Sequence, residues 1–239
     1  MSMSCSNYQR WQKAQYAEKK FWEREYWGRD TPNSNRDLVR ELWSMMLSNG
    51  FGIDFSFFAN KDVLEVGCGP SGIIFSISEA KTRSGLDPME LSEILVQEPS
   101  KLAIVRQGVA ENIPHHDESF DVVICFNVLD HCYEPSLVIE QCQRVLRKDG
   151  SLLLWVHALR NNYRLFQSLL NKLDPPHPNH FTVDQIIQIS NKFLLLDRVK
   201  RLKGARENFG EEPAEGSLKI ALANYLTENV WLRYKKVNL

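Results

Sequence analysis

Residues 61–72, Lys-Asp-Val-Leu-Glu-Val-Gly-Cys-Gly-Pro-Ser-Gly, constrain this chain more than any other stretch. Val63, Leu64 and Val66 form the apolar run of a strand covered on both faces. Gly67, Gly69 and Gly72 follow where the backbone must turn sharply and pass close to something. The segment from Ile73 onward is expected to open a helix over 72–80, whose first amides face that turn. Glu65 stands two residues before the first glycine. A carboxylate near the end of a buried strand costs free energy unless it is partnered, and the simplest partner is a cationic group on a ligand.

From residue 61 onward the pattern alternates strand and helix, which predicts a parallel sheet with helices on both faces. The expected strands are 62–66, 83–87, 102–106, 121–126 and 151–157, with helices at 72–80, 89–97 and 135–147. Ahead of them, 8–27 and 34–48 read as helices, the second closed by Asn49-Gly50. Tyr8, Trp11, Trp22 and Tyr26 share one face of the first helix, which either docks on the body or forms a lid over a pocket. After residue 157 the rhythm breaks. A short helix from Asn161 through Leu173 leads into a proline-set connector, 174–180. Thr182 is a predicted N-cap for a helix from Val183 to Lys192. Residues 193–199 and 230–237 read as closing strands, 204–216 as a surface loop and 218–226 as a short helix. The predicted organisation is a helical cap over 1–58 and a main domain over 59–239, with an insertion at 158–182.

At 239 residues and 43% hydrophobic content the chain can bury one sizeable core. A net charge of -1 supplies no field that would recruit nucleic acid or an anionic membrane. The densest basic cluster, Lys200, Arg201, Lys203 and Arg206, is interrupted and reads as a solvated edge. Five cysteines with no CxxC pair indicate reduced thiols rather than a disulfide frame. With no secretory leader pattern and no apolar run of membrane-spanning length, the expectation is a cytoplasmic protein without membrane insertion.

Gly67 to Gly72 is a GxGxxG turn after a strand, and Asp87 lies twenty residues past Gly67, where a carboxylate can accept both hydroxyls of a ribose. That much suits any nucleotide, and an NAD(P)-dependent oxidoreductase is one reading. Glu65 speaks against it, because it would repel a pyrophosphate, and favours a ligand carrying an ammonium group. Two later stretches narrow the choice. Residues 110–131 run Ala-Glu-Asn-Ile-Pro-His-His-Asp-Glu-Ser-Phe-Asp into the fourth strand and on to Asn-Val-Leu-Asp-His, and 144–154 join a helix to a strand through Lys148-Asp149-Gly150.

With these stretches in order, residues 61–157 resemble the class I S-adenosylmethionine-dependent methyltransferases, in the small-molecule branch called methyltransferase type 11. The resemblance implies a Rossmann-like seven-stranded sheet of order 3-2-1-4-5-7-6 with the last strand antiparallel, and S-adenosylmethionine as cofactor. It places Glu65 near the methionine amino group and Gly67, Cys68 and Gly69 under the cofactor. Asp87 falls on the ribose, Pro88 and Met89 border the adenine, and Ala110 and Glu111 lie beside the ring. Asn127, Val128 and Leu129 fall under the methionine part, facing the substrate. In the common pattern an Asp precedes the Ala-Glu pair and meets the adenine amine. Here that position is Val109, so backbone amides of Ala110 and Glu111 are expected to hold the ring.

A sulfonium methyl is already activated, so the protein's task is alignment for in-line displacement, with a general base where the acceptor is a hydroxyl. His131, in the loop after the fourth strand, is the expected base. His177 and His180 have HxxH spacing, but no further Cys or acid in a metal-like array accompanies them, so a rigid, proline-set connector is expected rather than a metal site. His115 and His116 are expected on a surface loop and His157 at a strand end. No Asn/Asp-Pro-Pro-Tyr/Phe motif and no basic appendage is present, which points to a small-molecule acceptor modified at O, N or C. A non-catalytic scaffold of the same fold is the alternative.

Overall fold

A computed structural model describes residues 5–25, 36–91, 103–173, 177–191, 194–203 and 225–237. Seven strands form one sheet: β1 Asp62–Val66, β2 Thr82–Asp87, β3 Ile104–Gln107, β4 Phe120–Phe126, β5 Leu146–Leu159, β6 Leu195–Lys203 and β7 Thr227–Lys235. Their order is β3-β2-β1-β4-β5-β7-β6. β1, β2, β3, β4 and β5 pair in parallel, while β7 runs antiparallel to both β5 and β6. All five residues of β1 are buried, as a central strand covered on both faces requires.

The helices are α1 Cys5–Glu25, α2 Arg36–Met46, α3 Pro135–Val145, α4 Gln167–Leu173 and α5 Val183–Ser190. Two apolar cores lie on opposite faces of the sheet. One packs Val138, Ile139, Cys142 and Val145 of α3 and Val183 and Ile186 of α5 against Leu64, Val66, Val123 and Leu152. The other packs Met46, Leu47, Phe51, Phe55 and Phe58 against Val63, Ile124, Leu153 and Trp231. Burial of such side chains is worth about 1.5–3 kcal/mol each, so the segment from Met46 to Phe58 is part of the domain's core.

The predicted strands match the observed ones to within a few residues, except that β5 is longer. It starts at Leu146, where 135–147 was expected to be helical, and runs to Leu159, inside the segment read as an insertion. Helix α2 also ends differently: a single π turn, Leu47–Phe51, carries it past Asn49-Gly50 to Gly52, which caps it at φ 63°. The expected helix over 72–80 is absent. Only one 3-10 turn forms there, Ile73–Phe75. Its β-branched Ile73, Ile74 and Ile77 lose rotamer freedom in a helix, and Ser76 and Ser78 compete for local backbone bonds. All three isoleucines are fully buried, and the helical layer on this face comes from α2 and the turns that follow it.

Residues 89–91 are not helical; the rest of the expected helix 89–97, the loop 204–216, residues 218–224 of the last expected helix, and Tyr26, lie outside the described residues. Cys68, Cys125, Cys132 and Cys142 are buried free thiols. No helix among the described residues is long and apolar enough to cross a membrane.

Past β5, Asn161–Phe166 is a 3-10 stretch leading to α4. The chain then returns to the end of β5: Leu159 bridges Thr182, and the Leu159 amide donates to the Phe181 carbonyl at 2.7 Å. Thr182 caps α5 as expected. Its hydroxyl accepts from the Gln185 amide and the Gln185 side chain accepts from the Thr182 amide, a reciprocal capping box. Thr182→Ala should therefore lower stability by about 1 kcal/mol, read as a lower urea midpoint with unchanged slope; an unchanged midpoint would show that the cap contributes nothing.

Candidate active site

The carboxyl ends of β1, β2 and β4 open onto one cavity of about 230 Å³. An open α/β sheet places ligands at this edge. The glycine turn forms the floor. Gly67 and Gly69 adopt φ of 69° and 48°, a region that non-glycine residues enter only with strain. The amides of Gly67 and Cys68 both donate to the Leu86 carbonyl, which ties the turn to the end of β2. A β-carbon on Gly67 would lie 2.3 Å from Val128.

Glu65 is 2% exposed and borders the cavity. Its carboxylate already has partners, and they belong to the chain: it accepts from the amides of Ile73 at 3.3 Å and Ile74 at 2.8 Å. The aborted helix thus lends its first amides to the acid. Gly72 permits this, because a β-carbon there would stand 2.5 Å from Glu65 Oε2. Two hydrogen bonds do not offset the loss of water. Burial pushes the Glu65 carboxyl up to about 8, with the amides of Ile74 and Ile73 opposing and the charge of Asp87 adding to it.

Asp87 closes the other side of the turn. Its carboxylate accepts from the Gly69 amide at 2.8 Å and the Met89 amide at 2.9 Å. Burial, and then the charge of Glu18, raise it to about 6, against the pull of the Met89 and Gly69 amides and of His131. Pro88, Met89, Val109, Ala110, Asn127 and Val128 also border the cavity. Asn127 is held at φ 54° at the end of β4, and its buried Oδ1 accepts no hydrogen bond. An outlier of this kind is a recurrent mark of functional sites.

One expected residue stands elsewhere. Leu129 is not on the cavity wall; it is 2% exposed and packs in the core beside α3. Glu111 borders the cavity as expected, while its Oε1 accepts from the amides of Tyr133 and Glu134, at the N-terminus of α3. That terminus has no side-chain cap of its own, so the carboxylate satisfies amides the helix leaves open.

His131 borders the cavity from the single 3-10 turn Leu129–His131. Its Nε2 lies 4.0 Å from Asp130 Oδ1 and its Nδ1 lies 3.9 Å from Glu18 Oε2. His115 packs edge-on against Phe120 and His116 is exposed, both outside the cavity. His177 and His180 have no acid beside them along the chain, yet in space the ring of His177 lies 4.7 Å from that of His131.

Sequence reasoning missed most of the roof. Trp11, Gln15, Glu18 and Trp22 of α1 all face the cavity, and Trp22 donates to Glu18 at 2.9 Å. Trp22 lies 3.7 Å from where a Gly69 β-carbon would be. Trp43, Phe126 and Trp155 complete an aromatic wall, with Trp43 stacked on Phe126 and donating to the Ser71 carbonyl. No Lys or Arg borders the cavity among the described residues. The 3.6-residue spacing of Trp11, Gln15, Glu18 and Trp22 was a readable signal for one face, but not for what that face covers.

The sheet order is that of the Rossmann-like methyltransferase fold. A family model described as "Methyltransferase domain" matches residues 64–154, the stretch that runs from β1 into β5. The ubiquinone biosynthesis O-methyltransferase of Salmonella paratyphi A is 31% identical over 98 residues, 38% of this chain and 40% of that protein. The chain thus matches about two fifths of the length of such relatives. Among solved structures, the YcgJ protein of Bacillus subtilis superposes with a TM-score of 0.62 at 18% identity, over 84% of this chain and 99% of the other. The N-methyltransferase NodS of Bradyrhizobium japonicum, in complex with S-adenosylhomocysteine, gives 0.59 at 15% identity over 95% and 99%.

The raised Glu65 carboxyl has a consequence for stability. The unfolded chain releases this proton near 4.5 and the folded chain keeps it until about 8. Folding is therefore opposed increasingly as pH rises between those values, by up to about 1.4 kcal/mol per pH unit. Glu65→Gln abolishes the term, so the variant should gain stability over the parent as pH goes from 5 to 8, measured by urea unfolding. A difference independent of pH would remove the burial argument.

Proposed function

We propose that this protein transfers the methyl group of S-adenosylmethionine to a small-molecule acceptor, at O, N or C. One observation carries the reading: a single cavity joins Glu65, the glycine turn and Asp87 to His131 beneath α1. The residues suit the cofactor. Asp87 ends β2 on the cavity wall, held by the Gly69 and Met89 amides, and is the candidate partner of the ribose hydroxyls. Glu65 is placed for the ammonium of the methionine part, and the unpartnered Asn127 Oδ1 offers a second acceptor for it. Pro88, Met89 and the backbone at Ala110 and Glu111 border the adenine side, where Val109 adds apolar contact in place of an acid.

When bound, the cofactor supplies a methyl group already activated by the sulfonium. The chain's own residues then have to orient, desolvate and deprotonate. Trp11, Trp22, Trp43 and Trp155 exclude water and present electron-rich faces to a cation. His131 is the acceptor-side group. Helix α1 acts as the roof of the acceptor pocket, on the evidence of four of its side chains in the cavity wall. The near-neutral charge supports a metabolite acceptor over a nucleic acid. The O-methyltransferase name of the curated relatives puts an oxygen acceptor first among the three.

Asp87→Ala and Gly67→Val should each weaken S-adenosylhomocysteine binding by at least about tenfold in titration calorimetry. The first removes a charge-assisted contact, and the second forces a β-branched residue to φ 69° against Val128. Unchanged affinity in both would refute the site. His131→Ala should lower turnover about 10²-fold or more with cofactor affinity within twofold; full turnover would take His131 out of the reaction.

A further inference from the structure

We propose that Asp130, His131 and His177 bind a divalent transition-metal ion at the acceptor end of the cavity. The site rests on the side-chain cluster itself; only its use in catalysis rests on the methyltransferase reading.

One donor atom from each residue lies within 4.8 Å of the others. Asp130 is 4% exposed, and its Oδ1 accepts no hydrogen bond although it is buried. His131 Nδ1 is likewise buried without a hydrogen bond. A buried carboxylate oxygen without a partner is costly, and His131 Nε2 stands 4.0 Å from Oδ1. Donors around one such metal at about 2.1 Å stand roughly 3–3.5 Å apart, so closing the set needs shifts of about an ångström or less.

The cluster is built by long-range contacts. Asp130 and His131 share one 3-10 turn after β4, while His177 comes from the returning segment after α4. Asn179 pins the two together: its amide donates to the Asp130 carbonyl at 3.1 Å and its side chain to the Cys132 carbonyl. Arg10 of α1 donates to the carbonyls of Asn171 and Pro178 on either side of His177. His180 is held apart by Asn171, so it braces the segment and is no ligand.

His131 has the two-sided arrangement of a metal-binding imidazole. Nε2 faces Asp130, and Nδ1 faces the Glu18 carboxylate at 3.9 Å. A carboxylate behind a ligating histidine fixes its tautomer and raises its basicity. Two imidazoles and one carboxylate suit Zn²⁺, Mn²⁺, Fe²⁺ or Co²⁺ over Mg²⁺ or Ca²⁺. Such a set leaves open positions, and His131 borders the cavity, so an acceptor hydroxyl can take one. Bound there it releases its proton to solvent at lower pH; its oxygen lone pair then forms the C–O bond as the C–S bond breaks and the sulfur keeps that electron pair. His131 then serves as ligand, and the metal does the work expected of a base.

The test is cobalt titration of the full-length, tag-free, chelator-treated protein, followed by visible absorption and calorimetry. The expected result is d–d absorption saturating at one equivalent. His177→Ala should weaken binding at least about 100-fold, and Glu18→Gln by about 10–100-fold, as outer-shell changes do. No saturable absorption, or equal affinity in His177→Ala, overturns the proposal. S-adenosylhomocysteine affinity, measured on the same samples, separates the two readings: it should be unchanged in His177→Ala, and its absence from all samples would refute the methyltransferase reading while leaving the metal result standing.

Discussion

The buried carboxylate of Glu65 is the constraint around which the site is arranged. It sits on a fully buried central strand and holds the two amides that would otherwise start a helix. The sequence after it is poor in helix formers, so only one 3-10 turn forms and the amides stay directed at the acid. Gly72 leaves the space this needs. The arrangement still costs the folded chain stability, because burial outweighs two neutral donors. A cation brought against Glu65 would favour its ionised form and so offset that cost.

Losing the helix after β1 has a structural counterpart. The face it would have covered is sealed by α2, a π turn and Phe55 and Phe58, all from the segment that precedes the sheet. Gly50 is part of that seal, since a β-carbon there would overlap the Trp231 ring at 2.2 Å. Arg40 of α2 donates to the Ser76 carbonyl and to Glu79, clamping the irregular segment onto α2. The region expected to be a detachable cap, 1–58, thus divides physically. Residues from Met46 onward belong to the core, and α1 alone overlies the cavity.

The parallel strands were legible because each carries its signal within a few residues: apolar runs bounded by Gly, Asp or Pro. The motif residues were legible for the same reason, and Glu65, Asp87 and His131 do meet at one cavity. What was not legible depends on contacts distant in sequence. Glu111 reads as a cavity acid and does border the cavity, but its second task, capping α3 more than twenty residues away, has no local signal. Leu129 reads as part of a motif, yet the 3-10 turn rotates it into the core while keeping His131 at the cavity. The helix at 72–80 was called from its position after a glycine turn, and its residue types argued the other way.

The same limit explains the histidines. HxxH spacing at 177 and 180 pairs the wrong two residues, because Asn171 takes His180 and Asn179 delivers His177 to Asp130. The surroundings of His131 are therefore assembled from three separate parts of the chain: α1 through Glu18, the β4 turn through Asp130, and the returning segment through His177. Arg10 links the first to the third. Glu18 touches both sides of the cavity: it stands 3.9 Å from His131 Nδ1, and its charge helps push the Asp87 carboxyl up. Displacing α1 would therefore change the surroundings of both residues at once.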